Sequence, residues 1–160
     1  MTTPLEFAKP FLTDGGIETT LIFHEGWELP EFAAFPLIDT PSGKAVLSKY
    51  FERFIQLAHK HRTGFVLESP TWRASHKWAK LIGYNERDLK KLLSGCMNLM
   101  NELRADYQSP ETPMLISGCV GPNDDGYSPK HQLCVGEATQ YHSTQIQQMA
   151  ESSATEHRRQ

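Results

Sequence analysis

The sequence contains no uninterrupted apolar run of the roughly 18 residues that a membrane-spanning helix requires. Residues 1–10 include Glu6 and Lys9 and lack an apolar stretch, so this segment is not expected to be a secretory signal peptide. The formal charge of −3 is small and no basic stripe is visible, which argues against nucleic acid as a partner. These absences predict a protein without a membrane or nucleic-acid partner.

Cysteine is also scarce. The chain has three cysteines, Cys96, Cys119 and Cys134, and they are widely spaced. An odd number at such spacing predicts no disulfide framework, and the simplest compartment is a reducing cytoplasm. The sequence has no CxxC, HxxxH, GxGxxG or Walker pattern, so neither a short-range metal site nor a phosphate-binding loop is indicated.

What the sequence does contain is the composition of one soluble α/β domain. Hydrophobic residues make up 39% of the 160 residues and charged residues 22%. Three short apolar runs alternate with amphipathic segments, and continuous rather than alternating apolar runs are typical of strands in a parallel sheet. The predicted strands are Phe11–Thr13, Phe65–Leu67 and Met114–Ile116.

Three helices are predicted between and after these strands. The first begins near Pro41, the second is capped by Asn85 with Asp88 three residues on, and the third covers about residues 137–150. Apolar residues recur at helical spacing in the first two, and Cys96 falls on the apolar face of the second. In the third helix we expect Tyr141 and Ile146 to face inward and the glutamines to face outward. These glutamines are Gln140, Gln145, Gln147 and Gln148. Residues 17–41 are predicted as an irregular stretch because prolines break it, and residues 72–83 as a second connection that leads to the next helix.

Polar and small residues follow each predicted strand. In parallel α/β folds the carboxyl ends of the strands carry the functional site. The first segment is Asp14-Gly15-Gly16-Ile17-Glu18-Thr19, in which two glycines permit close approach of a ligand and Asp14 offers an acceptor for an ammonium group. The alternative is a plain strand-ending turn, because Asp-Gly is common turn chemistry.

The other two segments have similar alternatives. Residues 68–75 (ESPTWRAS) contain a carboxylate and hydroxyls just beyond strand two, which could belong to a site. The alternative is that Thr71 and Ser75 cap the next segment and that Trp72 is a packing residue. Residues 117–122 (SGCVGP) could form a pocket wall from backbone amides. Cys119 could be a nucleophile or metal ligand, but a lone thiol is more simply a small residue at a strand end.

Together these segments resemble the homocysteine S-methyltransferase family. The matching stretches are residues 12–19 (LTDGGIET), 28–30 (ELP), 68–75 (ESPTWRAS), 116–122 (ISGCVGP) and 141–142 (YH). Their order over roughly the first 150 residues makes the match specific. The resemblance implies the N-terminal part of a (β/α)8 TIM barrel, with about three βα units present.

The family resemblance also implies a chemistry. Family members bind zinc, which holds the homocysteine sulfur as a thiolate, and a sulfonium, betaine or folate donor passes it a methyl group to give methionine. Asp14 and Gly15 would then hold the amino acid, Thr71 would line the same pocket, and Glu18 matches the motif.

The zinc ligands of the family do not match this chain. They lie late in the barrel, one cysteine after a Gly-x-Asn pattern and an adjacent pair in Gly-Gly-Cys-Cys, and neither pattern occurs here. We therefore expect residues 1–151 to form a partial homocysteine-binding barrel domain that binds no zinc itself. Residues 152–160 are expected to be a polar tail outside the family, which predicts a truncated, inactive chain.

Two other functions remain open on the sequence. The chain could be a non-catalytic α/β fragment that binds an amino acid or a partner chain, including a second copy through the exposed edge of strand three. A standalone flavodoxin-like domain is weaker, because three strands are few and no phosphate loop is present.

Overall fold

The computed structural model describes residues 10–126 and 132–154 of the chain. Three parallel strands form one sheet in the order β1-β2-β3: β1 Phe11–Thr13, β2 Gly64–Glu68 and β3 Met114–Ser117. Phe11 pairs with Gly64, and Phe65 pairs with Met114. The predicted parallel α/β sheet and its three strands are confirmed.

Five α-helices accompany the sheet in the described residues. They are α1 Ile17–Phe23, α2 Pro41–His61, α3 His76–Leu81, α4 Glu86–Tyr107 and α5 Val135–Ala154. Short 3-10 turns occupy Pro30–Phe32 and Phe35–Asp39. The helix α5 continues to Ala154, and the tail from residue 155 lies outside the described residues.

Helix α2 begins and ends as its sequence dictates. The Thr40 hydroxyl accepts a hydrogen bond from the Gly43 amide at 3.1 Å, and Pro41 occupies the first turn, where its missing N–H costs nothing. The chain leaves the helix through Arg62 in the left-handed conformation. Its predicted apolar face is confirmed, and the fully buried members are Leu47, Tyr50, Phe51, Ile55 and Ala58.

Helix α4 begins with a reciprocal capping box. Asn85 accepts from the Asp88 amide at 3.0 Å, and Asp88 accepts from the Asn85 amide at 3.4 Å. Cys96 is fully buried on the inner face of this helix, as predicted. Burial raises the pKa of its thiol far above the ordinary value, so Cys96 is an inert core residue.

The core lies between the sheet and the two long helices. One cluster packs Phe51 and Ile55 of α2 and Met100 of α4 against Phe65 and Leu67 of β2. Burial of side chains of this size stabilises the fold by roughly 1.5–3 kcal/mol each. A second cluster joins α4 to the turn at Phe35, to α3 and to Met149 of α5. This arrangement covers one side of the sheet and leaves the strand ends to the connecting loops.

Two sequence predictions are wrong in this part of the molecule. Residues 17–23 are helical rather than irregular, because Leu21 finds a buried position that a short segment gains only from tertiary packing. The connection 72–83 contains a short helix at residues 76–81, where Trp78 and Ala79 are buried. In α5, Gln145 is buried at 3% exposure whereas Ile146 is 49% exposed, the reverse of the expectation. Gln145 faces inward because it donates to the Thr71 carbonyl, 2.9 Å away.

No helix within residues 10–126 and 132–154 is both long enough and apolar enough to cross a membrane.

Candidate functional site

The three strand-end segments meet at the carboxyl edge of the sheet. Because the strands are parallel and adjacent, the residues after β1, β2 and β3 lie at the same edge. A cleft of about 120 Å³ opens there. It is lined by Asp14, Gly15, Gly16, Ile17, Glu18, Glu68, Ser69, Pro70, Trp72 and Cys119.

The turn after β1 brings two of the predicted site residues into this cleft. Gly16 has φ 68° and ψ 40°, a left-handed conformation that favours glycine, and it caps α1. This turn lets the chain pass from strand to helix within three residues, so Asp14 and Glu18 line the same cleft. Apart from its chain neighbours, no atom of the described residues would lie within 4 Å of a β-carbon at Gly15, so open space adjoins its backbone.

Asp14 is held by a tyrosine of the core helix. The Tyr50 hydroxyl lies 3.0 Å from Asp14 Oδ2 and 2.9 Å from the Gly15 carbonyl oxygen, and its single proton can be donated to only one of them at a time. Asp14 Oδ1 is inaccessible to water and accepts no hydrogen bond from any residue the structure describes. A buried acceptor left in this state is costly, which makes it a position for a donor from a ligand.

Burial and neighbouring carboxylates raise the pKa of two carboxyl groups in the cleft, those of Asp14 and Glu18. Burial raises the pKa of Asp14 from 3.8 to about 6, and the negative charge of Glu68 contributes in the same direction. Burial also raises the pKa of Glu18, with further contributions from Asp14 and Glu68. Glu18 Oε1 is buried and, in the described part of the chain, has no hydrogen-bond partner. The cleft therefore concentrates negative charge that no protein cation neutralises by direct contact within the described residues.

Asp14 should make the stability of the chain depend on pH. Its folded-state pKa is raised above the unfolded value, so the folded state retains a proton that the unfolded state has lost. Stability is therefore expected to fall between about pH 4 and pH 6, by at most about 3 kcal/mol. Asp14→Asn removes this term, so the variant should match the wild type near pH 4 and exceed it by about 1–3 kcal/mol near neutral pH.

Urea denaturation of both proteins at the two pH values measures this difference. A stability difference between variant and wild type that does not change with pH would show that Asp14 is ionised normally in the folded chain.

Thr71 lies behind the wall of the cleft rather than on its surface. Its side chain is fully buried, and its hydroxyl lies 2.8 Å from both the Ser69 hydroxyl and the Cys119 carbonyl oxygen, to which it donates. The Thr71 carbonyl oxygen accepts from Gln145. Thr71 therefore ties together the segments after β2 and β3, and direct contact with a ligand stays a prediction.

Cys119 and the other cysteines do not form a metal site. The Cys119 thiol is partly buried, and burial together with the neighbouring Glu68 carboxylate raises its pKa well above the ordinary value. Cys96 is in the core and Cys134 is exposed. Across residues 10–126 and 132–154, no three His, Cys, Asp or Glu side chains are placed to hold a metal ion. The zinc site of the family does not fit the residues described.

Two residues that shape this site are not among the binding residues that the sequence predicts. Glu68 belongs to the segment 68–75, yet its position in the same cleft as Asp14 and Glu18 depends on the pairing of β1 with β2. Tyr50 fits the apolar spacing of α2, which by itself gives no indication of the site. A buried tyrosine hydroxyl needs a hydrogen-bond partner, and that requirement was the available signal.

The fold and site define a class, the N-terminal part of a (β/α) barrel whose strand ends form an acidic cleft. The model of the homocysteine S-methyltransferase family matches residues 11–155. The chain belongs to the homocysteine S-methyltransferase family. The domain boundary at residue 151 stays a prediction.

Solved structures agree with this assignment. The chain is similar to the homocysteine methyltransferase MmuM from Escherichia coli in its metallated form, with a TM-score of 0.62 and 18% identity over 89% of this chain. The oxidised form of MmuM gives a TM-score of 0.63 and 19% identity over the same share of this chain. The chain spans about half the length of these structures, 50% and 49%. The comparison with curated proteins found no match.

Proposed function

We propose that this chain supplies the homocysteine-binding part of a homocysteine S-methyltransferase. The observation that carries the proposal is the pair of buried carboxylate oxygens, Asp14 Oδ1 and Glu18 Oε1, that have no donor among the described residues. The ammonium group of an amino acid offers up to three N–H donors and a positive charge. Gly15 leaves open space beside this pair for the ligand backbone.

The remaining strand-end residues would shape the pocket around the amino acid. Thr71 would act by holding the segment after β3 in place, through its hydrogen bond to the Cys119 carbonyl oxygen. Glu68 would add to the field that favours a cationic group. Ionisation of Asp14 is required for this binding, so the affinity should increase as pH rises through about 6.

Methyl transfer itself is proposed to need residues other than those described here. A free thiol, with a pKa of about 8.5, is mostly protonated at neutral pH, and the family uses zinc to form the thiolate. The described residues form no zinc site, so the chain alone is expected to bind homocysteine without methylating it. The methyl donor stays open between a sulfonium, a betaine and a folate.

Two measurements on the purified 160-residue chain test this function. Calorimetric titration with homocysteine should show binding, and an assay with homocysteine, S-methylmethionine and added zinc should give no methionine above background. Methionine formation that disappears in Asp14→Ala would show that the chain is a complete enzyme. No homocysteine binding at all would favour the non-catalytic alternative.

A second candidate function rests on the sheet edge. Within the described residues β3 pairs with β2 alone, so its other edge is unpaired. Such an edge is a template for another strand. Self-association, or completion of the sheet by a partner chain, therefore stays a prediction, and light scattering across a concentration series tests it.

A further inference from the structure

Arg73 is a buried cation with unmet hydrogen-bonding capacity. The residue is 7% exposed. Its Nε and Nη1 atoms are inaccessible to water and donate to no acceptor in the part of the chain that the structure describes. An arginine cannot relieve this by losing its proton under ordinary conditions, so the two N–H groups need an acceptor.

Two tryptophan rings fix the position of the guanidinium. Its central carbon lies 4.2 Å from the centroid of the Trp72 ring and 3.7 Å from the centroid of the Trp78 ring. These cation–π contacts stabilise the charge but satisfy no N–H group. The Trp78 indole donates to the Pro122 carbonyl oxygen at 3.2 Å, which anchors that ring. The guanidinium is thus held in one place before any ligand binds.

Arg73 lies beside the acidic cleft. Trp72, on which the guanidinium stacks, lines the cleft together with Asp14 and Glu18. Burial lowers the pKa of the Arg73 guanidinium. The nearby groups that raise it are those of Asp125, Glu31, Glu18 and Tyr141. None of them forms a hydrogen bond with Nε or Nη1. Asp14 and Glu18 therefore line the cleft, and the Arg73 guanidinium lies next to the Trp72 ring that lines it.

We propose that Arg73 binds the carboxylate of the amino-acid ligand. A zwitterionic amino acid presents an ammonium group and a carboxylate on adjacent atoms, which suits acidic groups that line a cleft and a basic group beside it. The planar guanidinium suits a carboxylate through two parallel N–H···O bonds. This inference rests on the proposed function, because it takes the ammonium group to be bound by Asp14 and Glu18. The carboxylate can come from homocysteine or from an amino-acid methyl donor.

A ligand series separates these sources. The wild-type chain is titrated with homocysteine, with homocysteamine, which lacks the carboxylate, and with S-methylmethionine. The same titrations are made with Arg73→Met, which keeps a flexible apolar stem between the two rings, and with Arg73→Lys, which keeps the charge. Arg87→Met, at an exposed arginine in the first turns of α4, is the matched control. Circular dichroism confirms the fold of each variant.

The wild type is expected to bind homocysteine about tenfold or more tightly than homocysteamine. Arg73→Met should lose that preference, Arg73→Lys should keep part of it, and Arg87→Met should keep all of it. If Arg73→Met loses S-methylmethionine binding while its homocysteine binding is unchanged, the inference is supported and the bound carboxylate is that of the methyl donor. Equal wild-type affinities for homocysteine and homocysteamine, with S-methylmethionine binding unaffected by Arg73→Met, would overturn it while leaving the proposed function intact. Failure of the wild type to bind homocysteine would overturn both.

Discussion

Asp14→Asn is expected to weaken homocysteine binding by about 10- to 100-fold near neutral pH. The change removes the negative charge that faces the ammonium group but keeps an oxygen that can still accept from Tyr50. Because the variant should also be more stable at this pH, the loss of affinity cannot be attributed to unfolding. Binding and stability are thus predicted to change in opposite directions.

Calorimetry on both proteins measures the effect, with urea denaturation alongside. Asp106→Asn is the matched control, because Asp106 is exposed in the last turn of α4, at the opposite edge of the sheet. An Asp14→Asn chain that binds homocysteine as tightly as the wild type would remove Asp14 from the site.

Gly121→Ala is expected to damage both the fold and the cleft. A β-carbon at residue 121 would lie 2.2 Å from the Trp72 carbonyl oxygen, and the Gly121 amide donates to that same oxygen at 3.1 Å. The clash involves backbone, so a side-chain rotation cannot relieve it. The expected cost is about 1–3 kcal/mol of stability, and homocysteine affinity should fall because Trp72 lines the cleft.

Gly126→Ala provides the control from the same loop. Among the described residues, a β-carbon there would contact the Pro122 ring alone, at 4.0 Å. Urea denaturation should therefore separate the two variants clearly, with Gly126→Ala close to the wild type. Equal stabilities for both variants would mean that the segment after β3 moves freely away from Trp72.

The sheet and the two long helices could be predicted because their signals are local. Apolar runs ending in glycine or polar residues identify β2 and β3, and the capping box at Asn85 identifies the start of α4. The short helices α1 and α3 give no such signal. They are stable because residues such as Leu21 and Trp78 pack into a core assembled from distant segments.

The site could be predicted only where one segment contains it. Asp14, Gly15 and Glu18 come from a single turn, so their convergence on the cleft follows from the motif. Glu68 lines the cleft from another strand end, and its position relative to Asp14 depends on strand pairing. The predicted orientation of α5 is wrong because Gln145 faces inward to donate to the Thr71 carbonyl oxygen beyond β2. Hydrophobic periodicity contains no signal for such a hydrogen bond.

The family assignment and the activity of this chain are separate questions. The match over residues 11–155 establishes the family, whereas the chain spans about half of the matching solved structures. Within its described part, Asp14, Glu18 and Glu68 line one cleft, and no three side chains are placed to hold a metal ion. We therefore propose that these residues bind homocysteine and that methyl transfer needs others.

Recognition of the ammonium group is the central claim, and one comparison tests it most directly. The wild-type chain is titrated near neutral pH with homocysteine and with its deaminated analogue, which keeps the thiol and the carboxylate but lacks the ammonium group. Homocysteine is expected to bind about tenfold or more tightly, because only homocysteine has an ammonium group to donate to Asp14 and Glu18. Equal affinity for the two compounds would show that these carboxylates do not bind the ammonium group.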